Sequence, residues 1–381
     1  MKRVLLEEHL SRLNDALTWR MPDEITAKVR EGMIILDVRE RHEFESVRIV
    51  DSLNLPRGRL ELEIGAMVSS GSQPLLIVCK SGVRASLAAH TLGSLGYTQV
   101  SVLKGGLDHW IQCGKPTTGG GSLSEQEFAR YDRHLSLPGF TPAHQGRLKS
   151  STVLVIGCGG LGSPVIAYLA AAGVGRLRLV DFDRVDASNL QRQVIHRTTH
   201  VGQLKVDSAK AFVTGLNPEV TVEAFPIEVT ESTVHELMES VDIVVDGSDR
   251  LETRYLLNRC CVQQGIPYVY GAVFRNEGEF ALFGATETSA CYQCLHPKLM
   301  PRSLTPSCSQ TGVIGVVPGF IGMMQANLVL NYLLADTHAP EPSAELVRIG
   351  FDGFRSLAFV VDKNEHCEAC SCEARQARAT H

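Results

Sequence analysis

Two kinds of hydrophobic pattern alternate along this chain. Short, mostly apolar runs, Met33 to Val38, Pro74 to Cys79, Val100 to Leu103, Thr152 to Ile156, Leu177 to Val180 and Asp242 to Val245, recur between polar and glycine-rich stretches. Runs of this length without strict alternation are strands buried on both faces, as in a parallel sheet covered by helices. Between them, apolar residues return at helical spacing in Val83 to Leu95, Ser163 to Ala172, Lys205 to Leu216 and Ser232 to Glu239, with Gly96 as a stop after the first. The repeated strand and helix predict an α/β architecture with a doubly wound sheet in the second part of the chain. From Tyr268 to Phe283 and from Leu346 to Val361 the strands lengthen, the latter pair meeting at Asp352-Gly353, which predicts an antiparallel or mixed portion near the C-terminus.

The small polar run Pro116-Thr117-Thr118-Gly119-Gly120-Gly121-Ser122 breaks the pattern and reads as a linker. A length of 381 residues is more than one core usually serves. The expected division is a first domain over 1–115, a linker over 116–124 and a second domain over 125–381. If free, the ten residues Lys115 to Ser124 span about 16–19 Å, too short for a long swing. One further stretch, Val313 to Leu334, is long and apolar enough for a membrane span. Its Gly315, Pro318, Gly319, Gly322, Gln325, Asn327 and Asn331 suit a helix inside an α/β domain better, so no membrane partner is expected.

Lysine plus arginine number 37 against 42 aspartate plus glutamate, so no overall basic field draws nucleic acid. Glu7 and Glu8 interrupt the N-terminus before any long apolar region, against a secretory signal and for a cytoplasmic location. The 11 cysteines fall partly in close pairs, which in such a compartment points to metal binding or catalysis rather than disulfides.

Cys79-Lys80-Ser81-Gly82-Val83-Arg84 joins a strand end to a helix start. Loop amides and the helix N-terminus there favour a thiolate on Cys79, and Arg84 can hold the loop or face an anion. A phosphatase loop places five residues between cysteine and arginine, and this one has four, a tighter fit for a single sulfur atom. With Asp37-Val38-Arg39 and Glu43, Asn54-Leu55-Pro56, Gly105-Gly106, Trp110 and Gly114, the segment resembles the rhodanese domain. The resemblance implies a persulfide carried on Cys79. Val47-Arg48-Ile49 departs from the usual Gly-His-Ile without touching the loop. Asp37, Arg39 and Glu43 are read as a structural ion-pair set, and Cys113 as inert.

In the second part, Val153-Leu154-Val155-Ile156 runs into Gly157-Cys158-Gly159-Gly160-Leu161-Gly162, a strand, glycine turn and helix start that cradle phosphate. Asp181 ends the next strand at the spacing for a ribose hydroxyl. Asn189, Arg192 and Lys205 place an amide and two cations there, more positive charge than a dinucleotide needs, and Asp246-Gly247-Ser248-Asp249 offers carboxylates for Mg2+. No hydride-transfer site with a separate acid or base stands out, so an NAD-linked oxidoreductase is the weaker reading.

These residues resemble the adenylating enzymes of ubiquitin-like sulfur carriers, the MoeB and ThiF family, over about residues 125 to 372. By that resemblance Asp181 binds ribose, Asn189, Arg192 and Lys205 hold ATP phosphates, Asp249 binds Mg2+, and Arg133 acts from the other subunit of a homodimer. Arg250 departs from the usual Asn. Asp183, Asp246 and His196 are read as structural, and His196 has no partner identifiable from sequence. Cys158, Cys260 and Cys261 read as packing residues.

Two CxxC pairs, Cys291/Cys294 and Cys367/Cys370, can give a closed four-sulfur shell to a structural Zn2+, with Cys372 as a substitute ligand. Cys308, in Pro306-Ser307-Cys308-Ser309, stands where some family members place an acyl- or sulfur-transfer cysteine. The resemblances together imply a rhodanese-like domain ahead of a Rossmann-like ATP-binding adenylation domain, the reverse of the commoner fused order. The implied substrate is a small sulfur carrier ending in Gly-Gly, with the small subunit of molybdopterin synthase first and thiamine, tRNA-thiolation or cysteine-pathway carriers behind it. A cysteine desulfurase or thiosulfate would supply the sulfur, and the short linker implies either a docked rhodanese domain or sulfur delivery across the dimer. The alternative is a rhodanese domain that only binds, beside an adenylating domain served by a separate donor.

Overall fold

The computed structural model describes residues 17–25, 32–119, 123–284, 286, 288–299, 312–335 and 343–371. Cys308 and Cys372 lie outside them. The chain divides into two compact units, Met1–Gly146 and Arg147–His381.

In the first unit, β1 (Thr18–Arg20), β2 (Ile34–Asp37), β4 (Leu53–Asn54), β5 (Leu75–Val78) and β6 (Val100–Leu103) form a parallel sheet in the order β1-β6-β5-β2-β4. Successive side chains of a strand point to opposite faces, so the apolar runs fill two cores. Leu36, Val38, Leu75 and Ile77 pack with Ala85, Ala88 and Leu92 of the helix Val83–Ser94, while Ile35, Leu76, Val78 and Leu103 pack with Leu107 and Trp110.

The start of the glycine-rich stretch is part of this unit. β7 (Thr117–Thr118) pairs antiparallel with β3 (Arg48–Ile49), Trp110 Nε1 donates to Pro116 O at 3.0 Å, and Lys115 Nζ lies 2.5 Å from Asp23 Oδ1. Composition alone counts Lys115 to Thr118 as tether, but backbone pairing and a buried indole hold those residues against the first unit.

The second unit holds one mixed sheet made of β8 (Thr152–Ile156), β9 (Arg176–Val180), β10 (Thr221–Phe225), β11 (Ile243–Asp246), β12 (Tyr268–Phe274), β13 (Glu277–Phe283), β14 (Ser343–Gly350) and β15 (Arg355–Asp362). Its order is β10-β9-β8-β11-β12-β13-β14-β15, parallel as far as β12 and antiparallel beyond. The parallel part reverses direction of growth between β8 and β11, the switch point outside whose carboxyl ends ligands bind in such sheets. The expected turn at Asp352-Gly353 joins β14 to β15, with Gly353 at φ +81°.

The long apolar helix, Val316–Leu334, belongs to this core. Its Ile321 packs with Leu161, Phe280 and Ile349, and buried Gln325 donates from Nε2 to Asp246 O at 2.7 Å. Side chains at Gly271 and Gly278 would collide with Gln325 and Ile321, so bare backbone on β12 and β13 lets the helix lie close.

Two elements escape the hydrophobic pattern. The helix Leu251–Gln264 buries little beyond Leu257, Cys260, Cys261, Arg254 and Asn258, too polar a set to read as an apolar stripe. The edge strand β10 is short and only partly buried. The expected helix over Ser232 to Glu239 is a single turn, Val234–Leu237.

Gly162 opens the helix Gly162–Ala172, and a Cβ there would overlap Gly157 O. Gly162→Ala should therefore destabilise the protein by about 1–3 kcal/mol. Gly215→Ala, on an exposed helix face with open space around it, should be neutral or slightly stabilising. Denaturant midpoints of the two variants measure the contrast.

Candidate active sites

The first site grows from β5. Cys79 follows that strand and is buried at 1% exposure, and the turn to the helix Val83–Ser94 runs through Gly82 at φ +104°. The N–H groups of Gly82 and Ala85 donate to Cys79 Sγ at 3.1 and 3.3 Å. Two backbone dipoles thus converge on the sulfur, the arrangement that stabilises negative charge there. The floor of the loop is backbone as well: Leu107 N–H donates to Cys79 O at 2.8 Å and Asp108 N–H to Lys80 O at 3.0 Å. A Cβ at Gly106 would collide with both of those carbonyls.

The charged residues nearby separate into two pairs. Arg39 and Asp37 form a buried pair at 2.7 Å, and Arg39 Nη2 also donates to Val47 O at 2.7 Å, which holds the turns after β2. Glu43 instead takes Arg84 in a two-pronged bridge of 2.5 and 2.7 Å. That guanidinium holds the Glu43 carboxyl below its ordinary range against partial burial. Cys113 is exposed.

The second site lies at the switch point. Gly157 turns at φ +91° after β8, and Gly247 leaves β11 beside it, with Gly247 N–H donating to Ile156 O at 2.8 Å. A Cβ at Gly157 would stand 2.8 Å from Gly247 O. Gly159 has open space, with only Gln193 Nε2 at 3.6 Å from a built Cβ, and the stem of Arg192 lies 3.5 Å from one at Gly160. Ser163 Oγ, Gln193 Oε1 and Ser248 Oγ are buried with no partner among the described residues, which leaves polar groups for a polar ligand.

Asp181 accepts from Cys158 N–H and Asp183 N–H, each at 2.8 Å, so its carboxylate pins the glycine turn to the end of β9. Lys205 is buried and bridges Asp183 Oδ2 at 2.8 Å, an engagement that sequence reading did not foresee. Asn189 ends a short turn, Ala187–Asn189, that leads into Arg192, whose Nη1 donates to Ser188 O at 3.2 Å. Asp249 is exposed beyond β11, and Arg250 bridges Glu228 and lies over the Phe182 ring at 5.0 Å. Arg133, in the first unit, has a side chain 92% exposed and stands 3.7 Å from Asp132.

Asp246 is wholly buried, accepting from Tyr268 OH at 2.7 Å and Ser248 N–H at 2.8 Å, with Arg254 Nε at 3.5 Å. Burial pushes its carboxyl up. Asn258, which holds Tyr292 N–H at 2.8 Å and approaches Cys291 Sγ, and Arg254 are structural supports that the sequence pattern did not single out.

Cys291, Cys294, Cys367 and Cys370 bring their four sulfurs within 4.8 Å of one another. Individual separations are 3.6 Å (Cys291 to Cys367), 3.4 Å (Cys294 to Cys370) and 3.9 Å (Cys294 to Cys291). A tetrahedral metal with bonds of about 2.3 Å sets its sulfurs about 3.8 Å apart, so the cluster fits one ion. Cys158, Cys260 and Cys261 are buried in packing.

His196, assigned no partner by sequence, has two: its Nε2 meets Cys158 O at 2.9 Å and its Nδ1 meets Ser208 Oγ at 2.8 Å. A neutral ring satisfies both, donating from Nε2 and accepting at Nδ1. His200 Nδ1 also contacts Ser208 Oγ at 2.8 Å, so with the hydroxyl proton given to His196, His200 is the donor. Burial lowers the His196 pKa below its ordinary value. Below about pH 6.5 the unfolded chain then binds a proton that the folded ring resists, so this contribution to stability is lost as pH falls towards the lowered folded value. The stability difference between the wild type and His196→Gln, from urea unfolding, should shrink between pH 7.5 and pH 5.5.

Comparison with known proteins places this geometry. The chain is 47% identical over 218 residues to the SAMP-activating enzyme E1 of Haloferax volcanii, covering 57% of this chain and 80% of that one. It is 40% identical over 257 residues to the sulfur carrier protein adenylyltransferase of Thermus thermophilus, covering 66% and 94%. It is 43% identical over 199 residues to the probable adenylyltransferase/sulfurtransferase MoeZ of Mycobacterium tuberculosis, where the match spans 51% of each chain. Among solved structures, Escherichia coli MccB bound to MccA-N7isoASN aligns with a TM-score of 0.56 at 23% identity, over 67% of this chain and 77% of that one, a likeness of fold. A sequence model of the Rhodanese-like domain matches residues 21–113, and one of the ThiF family matches residues 131–372. The second match covers more than half of the chain: the protein belongs to the ThiF family and carries a rhodanese-like domain in front of its family domain.

Proposed function

We propose that this protein activates the C-terminal glycine carboxylate of a small ubiquitin-like sulfur carrier with ATP and replaces an oxygen of that carboxylate with sulfur drawn from Cys79. One observation carries the reading: a single chain holds both a glycine cradle at a doubly wound switch point and a buried thiol receiving two backbone N–H groups. Relatives named for sulfur carrier adenylylation and for combined adenylyl and sulfur transfer support it.

In the first step a carrier carboxylate oxygen bonds to the α-phosphorus of ATP, the bond to the bridging oxygen breaks, and pyrophosphate leaves. The turn Gly157 to Gly162 and the helix behind it hold phosphate through backbone N–H groups, and Asp181 faces the ribose. Arg192 and Asn189 flank the cradle, and Lys205 would add its charge to the phosphates by giving up its bridge to Asp183. Arg133, exposed on its own unit, reaches the crevice of a second copy in a homodimer. With Asp246 enclosed by Tyr268 and Arg254, the exposed Asp249 is the carboxylate left for Mg2+, which when bound offsets phosphate charge.

In the second step the terminal sulfur of a Cys79 persulfide bonds to the activated carbonyl carbon and AMP leaves. A second thiolate then attacks the Cys79 sulfur, releasing the carrier thiocarboxylate and leaving a disulfide. Cys308 is the thiol indicated by sequence for such a step. A reducing cytoplasm suits this chemistry, because it keeps the thiols free. The small subunit of molybdopterin synthase is the first carrier to try. The four-cysteine cluster holds Zn2+ as a closed structural shell.

Incubation with ATP, Mg2+ and labelled pyrophosphate should give exchange only with a carrier ending in Gly-Gly. Mass spectrometry of the carrier should show sulfur in place of oxygen. Cys79→Ser should keep exchange and cut thiocarboxylate yield by more than tenfold. An unchanged yield would assign the rhodanese-like domain a binding role only.

Metal analysis should find one zinc per chain in the wild type and little in Cys367→Ser. That variant should also expose the C-terminal segment to protease.

A further inference from the structure

The Arg84 side chain sits at the cysteine loop already committed to a carboxylate. Both of its terminal nitrogens are engaged by Glu43, at 2.5 and 2.7 Å, so the pair carries no net charge. Arg84 nonetheless belongs to the loop that holds the sulfur: it immediately precedes Ala85, whose N–H donates to Cys79 Sγ at 3.3 Å, and the Cys79 charge is among those that act on its guanidinium. Glu43 is itself held in place, since its Oε2 accepts from Glu40 N–H at 3.2 Å in the capping box of the helix Arg41–Ser46. Of the charged residues in the loop, only the exposed Lys80 is left as a free-standing cation among the described interactions.

Charge decides which sulfur donors such a loop accepts. A dianion gains twice as much as a monoanion from each unit of positive potential, so cancelling a cation penalises the dianion more.

We infer, on the basis of the sulfur-transfer reading above, that Glu43 determines the donor specificity of Cys79: by neutralising Arg84 it favours a thiol persulfide and disfavours thiosulfate. With the favoured donor, Cys79 thiolate attacks the outer sulfur of R–S–S−, the S–S bond breaks, and R–S− leaves with the electron pair as Cys79 becomes a persulfide. With thiosulfate the same attack expels sulfite. Sulfur moves at the sulfane level in both, and no further oxidant or reductant is needed.

The test uses the full-length protein and follows loading of one sulfur on Cys79 by intact mass, with thiosulfate and with cysteine persulfide as donors. Glu43→Gln keeps an oxygen acceptor for the capping box but removes the charge. It should raise the ratio of thiosulfate rate to persulfide rate by about tenfold at low salt. The gain should fade at high salt, as a field effect does and a packing effect does not. Glu43→Asp should restore the wild-type ratio, and Arg84→Gln, which leaves Glu43 unopposed, should push it below wild type. An unshifted ratio in Glu43→Gln, or the same shift in the Gln and Asp variants, overturns the inference while leaving sulfur transfer intact. Absence of loading on wild-type Cys79 by either donor removes the sulfur-transfer reading, and the inference with it.

Discussion

The crevice of the second unit depends on how closely two strand exits can pass. Gly157 after β8 and Gly247 after β11 run backbone against backbone, with Gly247 N–H bonded to Ile156 O. Any side chain at Gly157 would press on the carbonyl of Gly247, and one at Gly162 would strike Gly157 itself. Bare backbone therefore lets a helix N-terminus point into the gap between the strands, where helix-end amides are disposed to receive an anion. Asp181 draws the turn from one side through Cys158 N–H, and His196 holds Cys158 O from another. The glycines provide room, and these two polar contacts settle how that room is shaped.

Much of this was legible because it is written in short-range chemistry. A strand that ends in Gly-Cys-Gly-Gly-Leu-Gly must turn sharply into a helix, and one that ends in Cys-Lys-Ser-Gly-Val-Arg must do the same around a sulfur. The two CxxC pairs were legible for a similar reason, since thiolate spacing carries information that packing does not erase. The parallel strands showed because burial on both faces demands uninterrupted apolar runs. What stayed hidden depends on partners distant in sequence. Lys205 reads as a spare cation until Asp183, 22 positions earlier, is seen to hold it. Glu43 and Arg84 lie 41 positions apart, and their bridge regroups what had looked like one set with Asp37 and Arg39. The helix Leu251–Gln264 is poorly marked because its inward face carries Arg254 and Asn258, which are tertiary supports rather than core.

The same contrast separates two carboxylates on one turn. Asp246 and Asp249 are three residues apart, yet Asp246 is enclosed by Tyr268, Ser248 N–H and Arg254, and its backbone carbonyl is held by Gln325 of the long helix. Stripping that carboxylate for a cation would leave Arg254 and a tyrosine hydroxyl unpaired in the interior, at a cost of several kcal/mol. Asp249 has no such contact among the described residues and is exposed. Burial thus ties Asp246 to the scaffold and leaves Asp249 at the surface. That long helix is apolar because it must cover β12 and β13, and the one strongly polar residue it buries is used to brace Asp246.

The cysteine cluster poses the energetic question most sharply. Strand β15 is exposed along nearly its whole length, and the residues from Lys363 to Ser371 that follow it add little to the main core beyond the cluster itself. Ordering such a segment costs roughly 1–2 kcal/mol per residue. A four-thiolate zinc can return roughly 10–16 kcal/mol, a sum of the same size. Four thiols without a metal would gain only weak S–H contacts and would still have to be dehydrated. The geometry, with sulfurs at close to tetrahedral spacing and Asn364 N–H directed at Cys294 Sγ, suits thiolates whose charge a cation balances. On that argument a cation bound by the four sulfurs would close the end of the sheet.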